Sequence, residues 1–163
     1  MIGLIQRVER ARVRIEGQSC AAIDRGILVL VGFVREDRRE QLPRFVERLI
    51  NYRLFGDRSG RMNLSLRDVD GELLLVPQFT LAADTNSGNR PGFGPAASPA
   101  QGKELFDELC TVAGTAWHRS CFGRFGADMS VELVNDGPVT FWIEVPSGRD
   151  VSRGSGAASS AGA

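Results

Sequence analysis

The chain has 163 residues, 20 basic and 20 acidic side chains, one histidine and three cysteines. That length suits one domain with a real hydrophobic core, and the cancelled charge removes any whole-chain signal for nucleic-acid binding. Cys20, Cys110 and Cys121 are odd in number and lie 90 and 11 residues apart; this fits neither a disulfide framework nor a zinc site, so reduced structural thiols are expected.

The longest apolar run, Gly26 to Val34, is far below the ~20 residues of a membrane span, and the N-terminus lacks a signal-peptide layout. A soluble, cytoplasmic protein is the expectation. Charge is uneven along the chain. Residues 1–61 hold 13 arginines against 8 acidic groups, a net of +5, and the remainder carries −5. Such asymmetry suits either a basic face for an anionic partner or a solvated surface of scattered arginines.

In chain order, Ala11 to Ile15 alternates apolar and polar residues, which predicts a strand or hairpin turning at Glu16-Gly17. Gly26 to Val34 reads as a buried strand. Asp37-Arg38-Arg39-Glu40 has capping-box spacing, and Leu42, Phe45, Val46, Leu49 and Ile50 form one face of an amphipathic helix with Pro43 in its first turn. Tyr52 to Gly71 is polar and glycine-punctuated, suiting a strand end and an irregular connection. Leu73 to Val76 is a short buried strand. The Gly-, Pro- and Asn-rich stretch Asp84 to Ala97 reads as a long loop of the kind that is usually functional or disordered.

Ser98, Pro99 and Gln101 supply an N-cap, a proline at the first helical position and a capping-box partner, ahead of a stripe of Leu105, Phe106, Leu109 and Val112. Met129 to Asn135 and Val139 to Val145 read as two strands of a hairpin turning at Asp136-Gly137. From Ser147 the chain offers almost nothing to bury, so residues 147–163 are set apart as a disordered tail. Residues 1–146 are expected to form a single α+β domain, a curved, barrel-like β-sheet flanked by two main helices.

The usual catalytic inventories come up short. His118, the only histidine, has no acidic neighbour in sequence to orient it as a general base. One histidine and dispersed cysteines give no metal-ligand spacing, and Gly88 to Gly94 matches neither a P-loop nor a dinucleotide fingerprint. Three stretches remain. Pro77-Gln78-Phe79-Thr80 is a polar break after a buried strand, read either as an ordinary strand exit capped by Thr80 or as a turn whose amides face an anion. Asn89 to Phe93 lies in the long loop. Asn135 to Thr140 is either a plain β-turn or a site where proline adopts the cis form and fixes carbonyls in an unusual direction.

Together these stretches resemble the D-aminoacyl-tRNA deacylases, over Met1 to about Val145. Gln6-Arg7-Val8, Arg53-Leu54-Phe55, Met62-Asn63-Leu64-Ser65 and Phe125-Gly126-Ala127 with Met129 stand in the family's order. Gln78-Phe79-Thr80-Leu81 is similar to its Ser-Gln-Phe-Thr motif, and Gly137-Pro138-Val139-Thr140 to its Gly-cisPro motif. The resemblance implies hydrolysis of the ester between a D-amino acid, or glycine, and the terminal ribose of a tRNA, a chiral proofreading step. It implies a homodimer with active sites at the interface, each combining Gln78, Phe79 and Thr80 of one subunit with Gly137 and Pro138 of the other. Met129 and Pro77 would line the substrate, and Arg7 would hold the dipeptide. No cofactor or metal is expected.

An ester is already activated, so positioning, backbone amides and the RNA's own 2′-hydroxyl suffice to hydrolyse it; Thr80 as nucleophile ranks below that, lacking an evident base. Two residues depart from the family. Pro77 replaces a serine, as in a related branch that clears L-alanine, and Gly92 stands where serine is common, in a loop tied to the terminal adenosine. A relaxed-specificity deacylase and a non-catalytic tRNA-end binder are the alternatives.

Overall fold

The computed structural model describes residues 1–86 and 88–146; the tail set apart from Ser147 onward lies outside the described residues. Strand β1 (Ile2–Ile15) is the spine of the sheet. Glu16 and Gly17 both have positive φ, 51° and 78°, the backbone of a tight two-residue hairpin turn, which delivers β2 (Gln18–Ile23) back along β1. β3 (Gly26–Gly32) continues along the same edge, Ala11 pairing with Ile23 and Val8 with Gly26.

Helix α1 (Leu42–Asn51) buries all five residues of its expected stripe, with Pro43 tolerated in the first turn, where amides have no intrahelical partner. The expected cap is displaced. Arg38 N donates to Gln41 Oε1 at 2.7 Å, while the buried Asp37 carboxylate accepts from Val34 N at 2.9 Å and from the Met1 amino group. The Tyr52 to Gly71 connection is more regular than expected: β4 (Phe55–Gly56) and β5 (Met62–Leu64) pair as a small hairpin.

β6 (Glu72–Pro77) runs parallel to β3, and β7 (Ser120–Phe122) parallel to β6, after the long helix α2 (Pro99–Ala116). Ser98 caps α2 by accepting from Gln101 N at 3.3 Å, but the Gln101 side chain reaches instead to the carbonyls of Arg35 and Asp37. Ala113, not Val112, closes the buried stripe. Parallel strands buried on both faces read as unbroken apolar runs, and β3 and β6 show why. Ile27, Val29, Val31, Leu73 and Leu75 face the helices. Leu28, Leu74 and Val76 face inward to Val8, Ala11, Val13 and Ile23, where the far halves of β1 and β2 roll over the sheet.

The expected hairpin at Asp136-Gly137 does not exist. β8 (Met129–Glu144) is one continuous element, and both of its halves pair with β1 along the edge opposite β3. Thr140 pairs with Gln6 and Asn135 with Val8, so Asp136 to Val139 bulge out opposite Arg7. Turn residues predict a turn; only the partner strand decides that the chain resumes its course. The α+β architecture with a rolled, barrel-like sheet and two helices is as expected. No helix among the described residues is long and apolar enough to cross a membrane.

Candidate active site

β6 ends in a rung from Gln78 N to Val31 O (2.7 Å), after which Phe79–Ala82 forms a 3₁₀ turn closed by Ala83 N donating to Thr80 O at 3.1 Å. Gly32 makes room for it: a Cβ there would stand 2.9 Å from Leu81 Cβ and 3.1 Å from Gln78 O. Gln78 Nε2 donates to Thr80 Oγ1 at 2.6 Å. The amides of Phe79 and Thr80 open the turn and make no main-chain hydrogen bond among the described residues. Gln78, Phe79 and Thr80 are therefore brought together on the surface.

Phe79 is 56% exposed, yet its ring lies 5.1 Å from that of Phe93. The loop carrying Phe93 is pinned by reciprocal bonds between Asp84 and Gly92, 2.7 and 2.8 Å. Behind the two rings lies an apolar cavity of about 370 Å³, walled also by Phe33, Pro99, Gly102 and Phe125. Sequence reading missed this cavity. The only signal was an aromatic residue in a loop otherwise made of turn formers.

Pro77 and Met129 both lie against Gly123, at the edge of the same turn. The Cβ position of Gly123 lies 3.3 Å from Pro77 Cδ and 3.1 Å from Met129 Sδ, and Arg124 N donates to that sulfur at 3.4 Å.

Arg7, Gly137 and Pro138 form a second group. Arg7 Nε pairs with the Asp136 carboxylate at 2.9 Å and donates to Asp136 O at 3.2 Å, while Nη1 donates to Leu54 O at 2.6 Å. The Asn135 side chain closes the bulge, Oδ1 accepting from Val139 N at 2.8 Å. Gly137 has φ 138°, which disfavours any side chain, and its bond to Pro138 is cis. The dipeptide is exposed.

No hydrogen bond or ion pair joins the two groups among the described residues. Gln78 is level with Val31 and hence with Gly3 on β1, whereas Gly137 is level with Arg7 on the far edge of that strand.

The other reactive side chains are elsewhere. His118 packs on Trp117 at the opening end of β6, beside the rung from Leu73 N to Arg119 O, the length of that strand, roughly 20 Å, from Thr80. Burial, then the Asp107 carboxylate, pushes the Cys110 thiol up to about 12, and burial followed by Glu72 raises Cys121; neither is a nucleophile at neutral pH.

The family model described as D-Tyr-tRNA(Tyr) deacylase matches residues 4–144. Proteins named D-aminoacyl-tRNA deacylase from Dichelobacter nodosus and Pseudomonas putida (strain KT2440) are 55% and 57% identical over 145 residues, covering 89% of this chain and all of each relative. A solved structure named c-Myc DNA Unwinding Element Binding Protein matches with TM-score 0.85 at 37% identity, over 90% of this chain and 99% of that one. A structure described as a probable eukaryotic D-amino acid tRNA deacylase matches with TM-score 0.78 at 17% identity, over 88% and 98%, a likeness of fold alone. A family match over nearly every described residue, with relatives identical at more than half their positions, leaves one conclusion: this chain belongs to the D-Tyr-tRNA(Tyr) deacylase family.

Proposed function

We propose that the chain hydrolyses the ester linking a D-amino acid to the terminal ribose of a tRNA, releasing both, as a chiral proofreading step in the cytoplasm. The observation that carries this, in a member of that family, is a site in two halves. A Gln78–Thr80 turn at the surface stands beside an aromatic cavity, and an Arg7-held Gly137-Pro138 bulge shares no hydrogen bond with it among the described residues. The active unit is accordingly a homodimer, in which the bulge of one protomer completes the pocket of its partner.

The cavity behind Phe79 and Phe93 has the apolar walls and exposed rings that a terminal adenine stacks on. With the base there, the ester lies over Gln78–Thr80, and the amides of Phe79 and Thr80 are donors for the oxyanion that develops as water attacks the carbonyl carbon. The bond to the ribose 3′-oxygen then breaks and the proton ends on that oxygen. The Thr80 hydroxyl already accepts from Gln78 and has no histidine or carboxylate bonded to it among the described residues, so the 2′-hydroxyl of the RNA is the group placed to assist. The Gly137 and Pro138 carbonyls engage the substrate's α-amino group and leave no room for an L side chain. Each tenfold of rejection needs only ~1.4 kcal/mol of clash or lost pairing.

Pro77 favours a second reading. It puts a ring, not a hydroxyl, beside Gly123 at the pocket edge, as suits a wider range that includes L-alanine. Release from tRNA charged with D-Tyr, L-Tyr, Gly and L-Ala decides between the two. D-Tyr and Gly released with both L esters spared supports the first; L-Ala released as fast as D-Tyr supports the second. Tight tRNA binding with no release of any ester means a binding protein and defeats both.

A further inference from the structure

We infer that the β4–β5 hairpin, with the end of α1 beside it, is a basic surface that holds the phosphate backbone of the tRNA whose charged end lies in the partner's pocket; this rests on the dimeric deacylase reading above. Residues 48–61 contain four arginines, Arg48, Arg53, Arg58 and Arg61, against one acid, Asp57, in a chain whose net charge is zero. None of the four forms an ion pair among the described residues, and Arg53, Arg58 and Arg61 are exposed. Part of the arginine excess of residues 1–61 therefore gathers on one surface.

The hairpin holds these side chains in place. Asp57 Oδ1 accepts from Ser59 N at 2.8 Å, Ser59 Oγ at 2.6 Å and Arg61 N at 3.1 Å, so its carboxylate is turned into the loop. Arg61 Nε donates to Ser59 Oγ at 3.1 Å and Arg53 Nε to Asn63 O at 2.8 Å, while Arg48 lies 6.0 Å from the centre of the Tyr52 ring. Guanidinium forks match phosphate oxygens, and cations already anchored lose less freedom on meeting them.

Position names the occupant. Arg7 donates to Leu54 O, at the start of the hairpin, and to the Asp136 carboxylate of the bulge, and the Tyr52 ring packs edge-on against Phe141, 5.9 Å away, on the bulge's other side. Hairpin and bulge are neighbours in one chain. Where the bulge completes the partner's pocket, the hairpin accompanies it to the pocket's edge. The molecule that leaves that pocket is a polyanion, and its backbone is bound without regard to sequence, through released counterions.

The test measures affinity for uncharged tRNA between 50 and 200 mM salt, by fluorescence anisotropy. Arg58→Ala with Arg61→Ala is expected to bind at least tenfold more weakly, with the slope of log K against log salt shallower by about 1.4–1.8 for two lost phosphate contacts. It should still hydrolyse the D-Tyr ester of adenosine, which has no backbone to hold, at the parental rate. Arg44→Ala with Lys103→Ala, cations paired on the helices, should bind like the parent. Mixed dimers assign the pocket. Gly137→Val in one subunit, whose Cβ would stand 2.7 Å from Val139 Cγ2, leaves only that subunit's own pocket complete; the hairpin change should then raise KM for D-Tyr-tRNA when placed in the other subunit. Parental affinity and slope in the hairpin variant overturn the surface, and a rise in KM only when both changes share a subunit overturns the assignment to the partner's pocket. A parent that binds tRNA through the hairpin yet releases no ester defeats the deacylase reading while the surface stands; a parent that binds no tRNA defeats both.

Discussion

Replacing Arg7 separates the two tasks assigned to it, holding the fold and aiming the bulge. In Arg7→Ala the carbonyl of Leu54, a residue 1% exposed, loses its 2.6 Å donor, and a buried acceptor left unpaired costs about 1–3 kcal/mol. The Asp136 carboxylate is 41% exposed and regains water, so its lost ion pair adds at most about 1 kcal/mol. A total of about 1–4 kcal/mol lowers Tm by roughly 2–16 °C in a domain of this size. Activity falls further than stability. A bulge displaced by ~1 Å no longer meets the substrate in the productive pose, and misplacement on that scale costs on the order of 100-fold.

Arg7→Lys keeps the charge but lacks the fork that serves Leu54 and Asp136 together, and should lie between the two. The assays are thermal unfolding and kcat/KM for D-Tyr-tRNA and L-Tyr-tRNA, measured well below Tm. The expected signature is a fall in the ratio of D to L turnover on top of the fall in rate. An Arg7→Ala protein that is destabilised but keeps that ratio unchanged would show that Arg7 only holds the fold, and the positioning role is then wrong.

Three further outcomes follow from the packing and the charges. Gly26→Ala puts a Cβ 1.9 Å from Glu72 O, which parallel pairing of β3 and β6 cannot absorb; stability should fall by more than about 3 kcal/mol, whereas Gly56→Ala, with nothing within 4 Å, should fold normally, as thermal melts will show. A thiol reagent at pH 8 should label Cys20 rapidly in the native protein, and Cys110, pushed up to about 12 by burial, and Cys121 only on unfolding; three fast thiols would contradict this. The Ser65 hydroxyl, then the Ser65 amide, hold Asp68 below its ordinary value of 3.8, so its contribution is full above that value and is lost as pH falls through the lower folded value. Asp68→Asn should thus have a lower urea midpoint than the parent at pH 7, with the gap closing in acid.

Local chemistry made parts of this molecule readable. The stripe Leu42 to Ile50, the Ser98 cap and the Glu16-Gly17 turn each follow from side chains within a few residues of one another, and each stands where expected. What needed the fold was anything decided by a distant partner. Asp136-Gly137 carries turn chemistry, but β1 pairs with the chain on both sides of it and converts a hairpin into a bulge. Asp37 has the chemistry of a cap, but Val34 and Met1 claim its carboxylate first. The site divided the same way. Gln78 and Thr80 are two residues apart and their stretch was legible as a motif, though not the hydrogen bond between them, whereas Phe33, Phe93, Pro99 and Phe125 are far apart in sequence and share a cavity where the segment leading into α2 is tied to the end of β3, Ala97 N donating to Phe33 O at 2.9 Å.

The central claim is that a turn holding no acid or base of its own hydrolyses an activated ester by positioning it for the RNA's 2′-hydroxyl. The direct measurement is single-turnover release of D-Tyr from tRNA ending in 2′-deoxyadenosine, against the same tRNA ending in adenosine. With that hydroxyl gone, release should slow on the order of 100-fold or more, within the usual range for a lost proton-transfer group, while Thr80→Ala on the normal substrate changes the rate little. Cleavage of the deoxy substrate at the normal rate, with Thr80→Ala inactive, would contradict the account and make Thr80 the nucleophile.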